Sequence, residues 1–273
     1  MLGRVVGFLL LILCAAQVHA QQVLVSIHPL ALLVKTAWPE LQVSALVAPN
    51  QSPHDFTMRP SDRKRIYNAD SVVWLGEEFE PYLAKVLGDQ PNIDLGGLVD
   101  PSHHREHDHG DVHDPHLWLN PEAVFPILDL VQNSLGLSEP ELFKKRFQLW
   151  QIKAQRQLYP YSKVGFVSYH DAFHYWVDTF NLNQLAMVAS HPEQPVGTRH
   201  VSHVRTLLAS GKAQCLFVEP QFNAPIVNKL HQGLDIKVVN IDPMGSTHQI
   251  DNANFLEFYD ELLGQFLYCF APN

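Results

Sequence analysis

Three histidines stand where strand-like apolar runs hand over to loops or helical sequence. They are His54 in Ser52-Pro53-His54-Asp55, His116 in Asp114-Pro115-His116-Leu117-Trp118, and His170 in Ser168-Tyr169-His170-Asp171. Asp242, in Ile241-Asp242-Pro243, ends another run in the same way. In open α/β sheets, ligands gather outside the carboxyl ends of the strands. One such histidine alone reads as a structural hydrogen-bonder. A set at equivalent places reads as a metal site, because imidazole nitrogens suit Zn²⁺ and three of them with a carboxylate or water complete a tetrahedron. Asp55 and Asp171 adjoin two of the histidines and are candidates for orienting them from behind. Between residues 101 and 114 the sequence PSHHREHDHGDVHD adds His103, His104, His107, His109 and His113. The bland reading of that tract is a solvated loop, and a histidine-rich loop also captures metal weakly through composition alone.

These residues need strand ends to position them, and the surrounding pattern supplies strands. Apolar, β-branched runs over 23–27, 43–47 and 71–75 alternate with helical stretches over 29–38, 61–68 and 81–87. Such alternation indicates a parallel sheet with helical crossovers. The pattern lapses over 101–114. It resumes at Asn120-Pro121-Glu122, which has the makings of a helix start. A longer helix is expected from Ser138, with Glu141 completing a capping box. Phe143, Phe147, Trp150, Ala154 and Leu158 give it one apolar face, and Pro160 ends it. Strands are then expected over 164–169, 185–189, 215–219 and 238–241, with helices over 171–180, 200–210, 225–234 and 252–270 between and after them. The expected fold class is therefore α/β, two lobes each with a mainly parallel sheet flanked by helices, joined by one long rigid helix. The lobes are expected over 21–137 and 161–273, with the linker helix over 138–160.

The chain has 273 residues, 19 Lys+Arg against 28 Asp+Glu, and a formal net charge of −9. With 46% apolar and 17% charged residues it can fill a core and is not of disordered composition. Its acidic balance, without a basic cluster, argues against nucleic acid as the main partner. Arg4, an apolar run over 5–16 and Val18-His19-Ala20 describe an export signal over residues 1–20, cleaved after Ala20. A membrane anchor would need about 20 apolar residues, and Gln17, His19, Gln21 and Gln22 interrupt too soon. Cys14 lacks the small residue that a lipidation box wants at Leu13. Cleavage leaves Cys215 and Cys269, and an even count in an exported chain reads as one disulfide, with two buried free thiols as the alternative.

Five phrases occur in an order that carries a family resemblance: Ser52-Pro53-His54-Asp55-Phe56, Arg59-Pro60-Ser61-Asp62, His116-Leu117-Trp118-Leu119, Ser168-Tyr169-His170-Asp171-Ala172-Phe173 and Glu219-Pro220-Gln221-Phe222. The chain resembles the periplasmic zinc-binding subunits of bacterial zinc-uptake ABC transporters, the ZnuA type, over essentially its whole mature length. The resemblance implies two α/β lobes joined by one rigid helix. It also implies Zn²⁺ carried as transported ligand between the lobes and delivery to an inner-membrane ABC permease with its ATPase. It places the zinc ligands at His54, His116 and His170. A histidine at position 170, where manganese-binding relatives carry a carboxylate, favours zinc. Cys215 and Cys269 match a disulfide of zinc-type members. Pro53 stands where some members have a glutamate able to approach the metal, which leaves Asp242 or a water as the fourth ligand. The protein is expected in the periplasm as a monomer and not as an enzyme. The rival reading is a secreted zinc hydrolase, against which the chain has no HExxH and no glutamate base beside a ligand pair. A manganese-binding or adhesin relative is the remaining alternative.

Overall fold

The structure is a computed structural model that describes residues 20–99, 104–105, 112–189, 196–220 and 224–272. The expected export signal therefore lies outside the described residues save for Ala20, as do His103, His107 and His109.

The first half alternates strictly. Strand β1 (Gln22–Val25) leads through helix α1 (His28–Ala37) to β2 (Gln42–Ala45), and α2 (Pro60–Asn68) leads on to β3 (Ser71–Trp74). Helix α3 (Pro81–Leu87) and β4 (Asn92–Asp94) complete a four-stranded sheet of order β2-β1-β3-β4. All three pairings are parallel. Every residue of β3 is buried, as expected for a parallel strand covered on both faces. The short β4 escaped the sequence reading because its alternation spans only three residues.

A two-stranded antiparallel hairpin, β5 (His104–Arg105) with β6 (Val112–His113), stands at the root of the histidine-rich segment. Helix α4 (Val124–Leu135) follows, and then α5 (Glu141–Leu158). Both start later than the sequence suggests. Asn120 does cap, but its side chain accepts from the Glu122 amide in a turn, and α4 opens only at Val124. Ser138 does not cap α5. Pro140 stands at the helix entrance and disfavours a helical conformation at the residue before it. Ser138 instead accepts from the Trp38 indole through its carbonyl, at 2.8 Å.

The second half repeats the first in topology. Strand β7 (Gly165–His170), α6 (His174–Phe180), β8 (Asn183–Ala189), α7 (Thr198–Ala209), β9 (Ala213–Val218), α8 (Ala224–His231) and β10 (Lys237–Asn240) form a parallel sheet of order β10-β9-β7-β8. In each sheet the first strand sits between its second and third, which places a topological switch point at its carboxyl end. Gly165 opens β7 where a Cβ would lie 2.5 Å from both the Lys212 carbonyl and the Leu185 side chain. The close strand approach there requires glycine.

The long terminal helix α9 (Phe255–Phe270) brings the halves together. Phe147 and Trp150 of α5, Phe166 and Phe217 of the second sheet, Phe255 and Tyr259 of α9, and Val25 and Leu33 of the first half belong to one buried cluster. Tyr259 donates to the Trp118 carbonyl at 2.8 Å, and Phe266 stacks on Trp176. Cys215 of β9 is bonded to Cys269 of α9, 54 positions on, which pins α9 to the second sheet. Among the described residues no helix is long and apolar enough to cross a membrane.

Candidate metal centre

The three histidines converge. His54 lies in the 3-10 turn Pro53–Asp55 after β2, where its amide donates to the Ser52 hydroxyl. His116 precedes the 3-10 turn Leu117–Leu119, and His170 is the last residue of β7. Their ring centroids are 4.9–5.4 Å apart. One nitrogen from each lies within 4.8 Å of the others. A tetrahedral ion about 2.0–2.1 Å from each nitrogen would need them about 3.4 Å apart. His116 and His170 are buried, whereas His54 is exposed, so the remaining approach falls to the one ring with room to turn.

The two buried rings are each backed by a carboxylate. Asp114 is wholly buried, and its Oδ1 accepts from both the His116 amide, at 3.0 Å, and Nδ1, at 2.6 Å. A neutral imidazole with its proton on Nδ1 carries its metal-binding lone pair on Nε2. Glu219, just past the end of β9, lies 3.3 Å from Nδ1 of His170. Such carboxylate–histidine pairs hold ring orientation and raise ligand basicity. For this role the sequence offers Asp55 and Asp171; Asp55 is exposed, while Asp171 is buried and accepts from Gln184. Asp114, two residues before His116, and Glu219, before Pro220, show no role of their own in the sequence. The spacing Asp-x-His at 114–116 is the local signal for the first, whereas the second depends on β9 lying beside β7.

The surrounding wall is formed by Trp118, whose ring lies 5.1 Å from that of His116, together with Pro243 and Met244. Trp118 Nε1 donates to the Pro243 carbonyl at 2.8 Å, which fastens the turn after β10 to the first half. Asp242 is not part of the three-histidine group. Its Oδ1 accepts from the Met244 amide and its Oδ2 from the Ser246 amide, so that this carboxylate organises its own turn.

On the exposed side, Pro53, His54 and Trp118 also border a cavity of about 220 Å³ with Phe56, Tyr82 and Glu80 in its lining. Burial raises the Glu80 carboxyl to about 7 despite hydrogen bonds from the Leu75 amide and the Tyr82 hydroxyl. His113, the last residue of the histidine-rich segment's hairpin, points Nδ1 at Glu78, 2.9 Å away.

Comparison with known proteins places this geometry. The model of the family ZnuA, described as zinc-uptake complex component A, periplasmic, matches residues 23–267. The chain belongs to that family. This ZnuA-family chain is 29% identical to a high-affinity zinc uptake system protein of Yersinia pestis, with 90% of each chain covered. It is 26% identical to one of Haemophilus ducreyi, with 90% and 92% covered. A zinc-bound ZnuA deletion mutant shares its fold with a TM-score of 0.78, at 19% identity over 93% of this chain and all of that one. The solute-binding protein FpvC of Pseudomonas aeruginosa, solved with Mn²⁺, also reaches 0.78, at 17% identity over 92% and 99%. The same fold thus hosts different ions, and the ligand chemistry has to discriminate.

Proposed function

We propose that this protein captures Zn²⁺ with His54, His116 and His170 in the pocket between its lobes and hands it to an inner-membrane ABC permease. The observation that carries the reading is the convergence of three imidazole nitrogens, two on rings backed by buried carboxylates. An all-imidazole set suits zinc, whereas manganese prefers oxygen. Engagement of both Asp242 oxygens by backbone amides favours a water over Asp242 as fourth ligand. Neutral imidazoles displace water from the ion, and acid releases it by protonating them. The chain acts as a monomeric transport component rather than an enzyme, exported through a leader over 1–20, with lobes over 21–137 and 161–273 and a linker over 138–160. The histidines at 103, 104, 107, 109 and 113 add weak capture beside the main site.

The test is a zinc titration of metal-free protein against a chromophoric chelator, repeated with manganese and with His54→Ala, His116→Ala and His170→Ala. One tight zinc site, weak manganese binding and loss of that site in each variant are expected. Wild-type affinity in all three variants would overturn the ligand assignment. Manganese binding as tight as zinc would overturn the selectivity argument.

A further inference from the structure

Helix α5 has two faces, and only one is used by the fold. Phe143, Phe147, Trp150, Ala154 and Leu158 are buried in the shared core. On the opposite side, Leu142, Lys145, Leu149, Ile152, Arg156 and Tyr159 follow one another at alternating spacings of three and four. That is the repeat by which one helix presents a straight seam to another. The apolar members are strongly exposed: Leu142 71%, Leu149 60%, Ile152 50% and Tyr159 71%. They are four of the seven large exposed apolar side chains found among the described residues, so they mark one stripe and not scattered surface.

The charge of this helix runs against that of the chain. It carries Lys144, Lys145, Arg146, Lys153 and Arg156 against Glu141 alone, in a protein of net charge −9. Lys144 pairs with Asp129 and Glu139, and Lys153 with Asp260. Among the described residues Lys145, Arg146 and Arg156 have no ion-pair partner. Lys145 and Arg156 lie within the seam itself, about 16 Å apart along the axis.

We propose that this face of α5 docks an acidic amphipathic helix of a protein partner, with Leu/Ile-class side chains over Leu149 and Ile152 and carboxylates opposite Lys145 and Arg156. A second copy of the chain is a poor occupant. Parallel pairing would set Lys145 against Lys145 and Arg156 against Arg156, and antiparallel pairing centred on Leu149 and Ile152 would set Lys145 against Arg156. A lipid surface is a poor occupant because the cations interrupt the apolar line instead of flanking it, and embedding the line would carry them toward the acyl region. A partner helix accommodates them, with their aliphatic stems packed along the seam and their heads paired at its rim. No residue lining the metal pocket lies on α5, so occupancy of this face leaves the histidines accessible.

The probe is a synthetic helical peptide with leucines at the two central seam positions and glutamates opposite Lys145 and Arg156, read by fluorescence anisotropy against the whole zinc-loaded protein. A matched peptide with lysines for glutamates, phosphatidylglycerol vesicles and sedimentation of the protein alone complete the set. The acidic peptide is expected to bind in a salt-sensitive way. The exposed double variant K145E/R156E should lose about tenfold or more of that affinity, gain it for the lysine peptide, and keep its zinc affinity and melting temperature. Equal binding of the two peptides would overturn the proposal, as would no binding of the acidic one. Binding to vesicles without binding to the peptide would assign the face to lipid, and a concentration-dependent dimer abolished by Leu149→Asp would assign it to self-association.

Discussion

Replacing Asp114 with asparagine tests whether the carboxylate behind His116 serves the metal or only the loop. The Oδ1 atom accepts two hydrogen bonds, at 2.6 Å from Nδ1 and 3.0 Å from the amide, in a wholly buried setting. An asparagine oxygen can accept both, so the turn is retained while the charge is lost. Hydrogen bonds to charged groups contribute about 1.5–3 kcal/mol against about 0.5–1.5 for neutral ones. The charge itself is thus worth about 1–2 kcal/mol once a doubly positive ion sits on the same ring. That range meets the 10- to 100-fold loss typical of removing a partner behind a metal-bound histidine, about 1.4–2.7 kcal/mol. Competitive titration of Asp114→Asn against a chromophoric chelator should show a zinc dissociation constant raised by about that factor. Asp55→Asn, at an exposed carboxylate, should leave the constant unchanged. An Asp114→Asn affinity within twofold of wild type, or an equal loss in Asp55→Asn, would refute the reasoning.

Glu80→Gln concerns stability and pH. With the folded carboxyl raised to about 7 from 4.5, the folded state holds the proton more tightly than the unfolded chain. This group's favourable contribution is complete below about pH 4.5 and is lost as pH rises through 7, a span of about 3 kcal/mol. Urea unfolding of metal-free protein at pH 5.5 and 8 should show a difference about 2 kcal/mol smaller in the variant; the same pH dependence in both proteins would contradict the assignment. Cys215→Ser with Cys269→Ser opens a cross-link spanning 54 positions, and the chain-entropy model puts the loss at about 4 kcal/mol. A denaturation midpoint unchanged from wild type would show that α9 is held without it. Trp118→Phe strips the Pro243 carbonyl of its indole donor and should cost about 1–3 kcal/mol of stability while loosening the pocket wall, read as weaker zinc binding. Zinc affinity equal to wild type would detach that wall from the site.

The strands and the three histidines were legible because their signals are local. Buried parallel strands such as β3 and β7 are mainly apolar runs, buried at every position, and His54, His116 and His170 follow or end such runs or open a turn. What the sequence concealed depends on contacts between distant segments. Glu219 reaches His170 only because β9 pairs with β7. Asp242 has the right residue type at the end of a strand, but that its oxygens accept from the Met244 and Ser246 amides follows from the backbone of its own turn. Helix starts shifted for a related reason: the capping side chains at Asn120 and Ser138 are real candidates, but a turn and Pro140 hold the chain in other conformations there.

The single core shared by both lobes bears on the heat of capture. Trp118 is tied to Pro243 across the pocket, and Tyr259 to Trp118 behind it, in the same apolar mass that joins α5 and α9. Those walls are packed into the core by the fold itself, and this packing predicts that little apolar surface is left to leave water when the ion arrives. Calorimetric titration at a series of temperatures should therefore return a zinc-binding enthalpy, corrected for buffer protons, that scarcely changes with temperature. A hinged binding protein that closes around its cargo would instead show the steep negative slope of newly buried hydrocarbon.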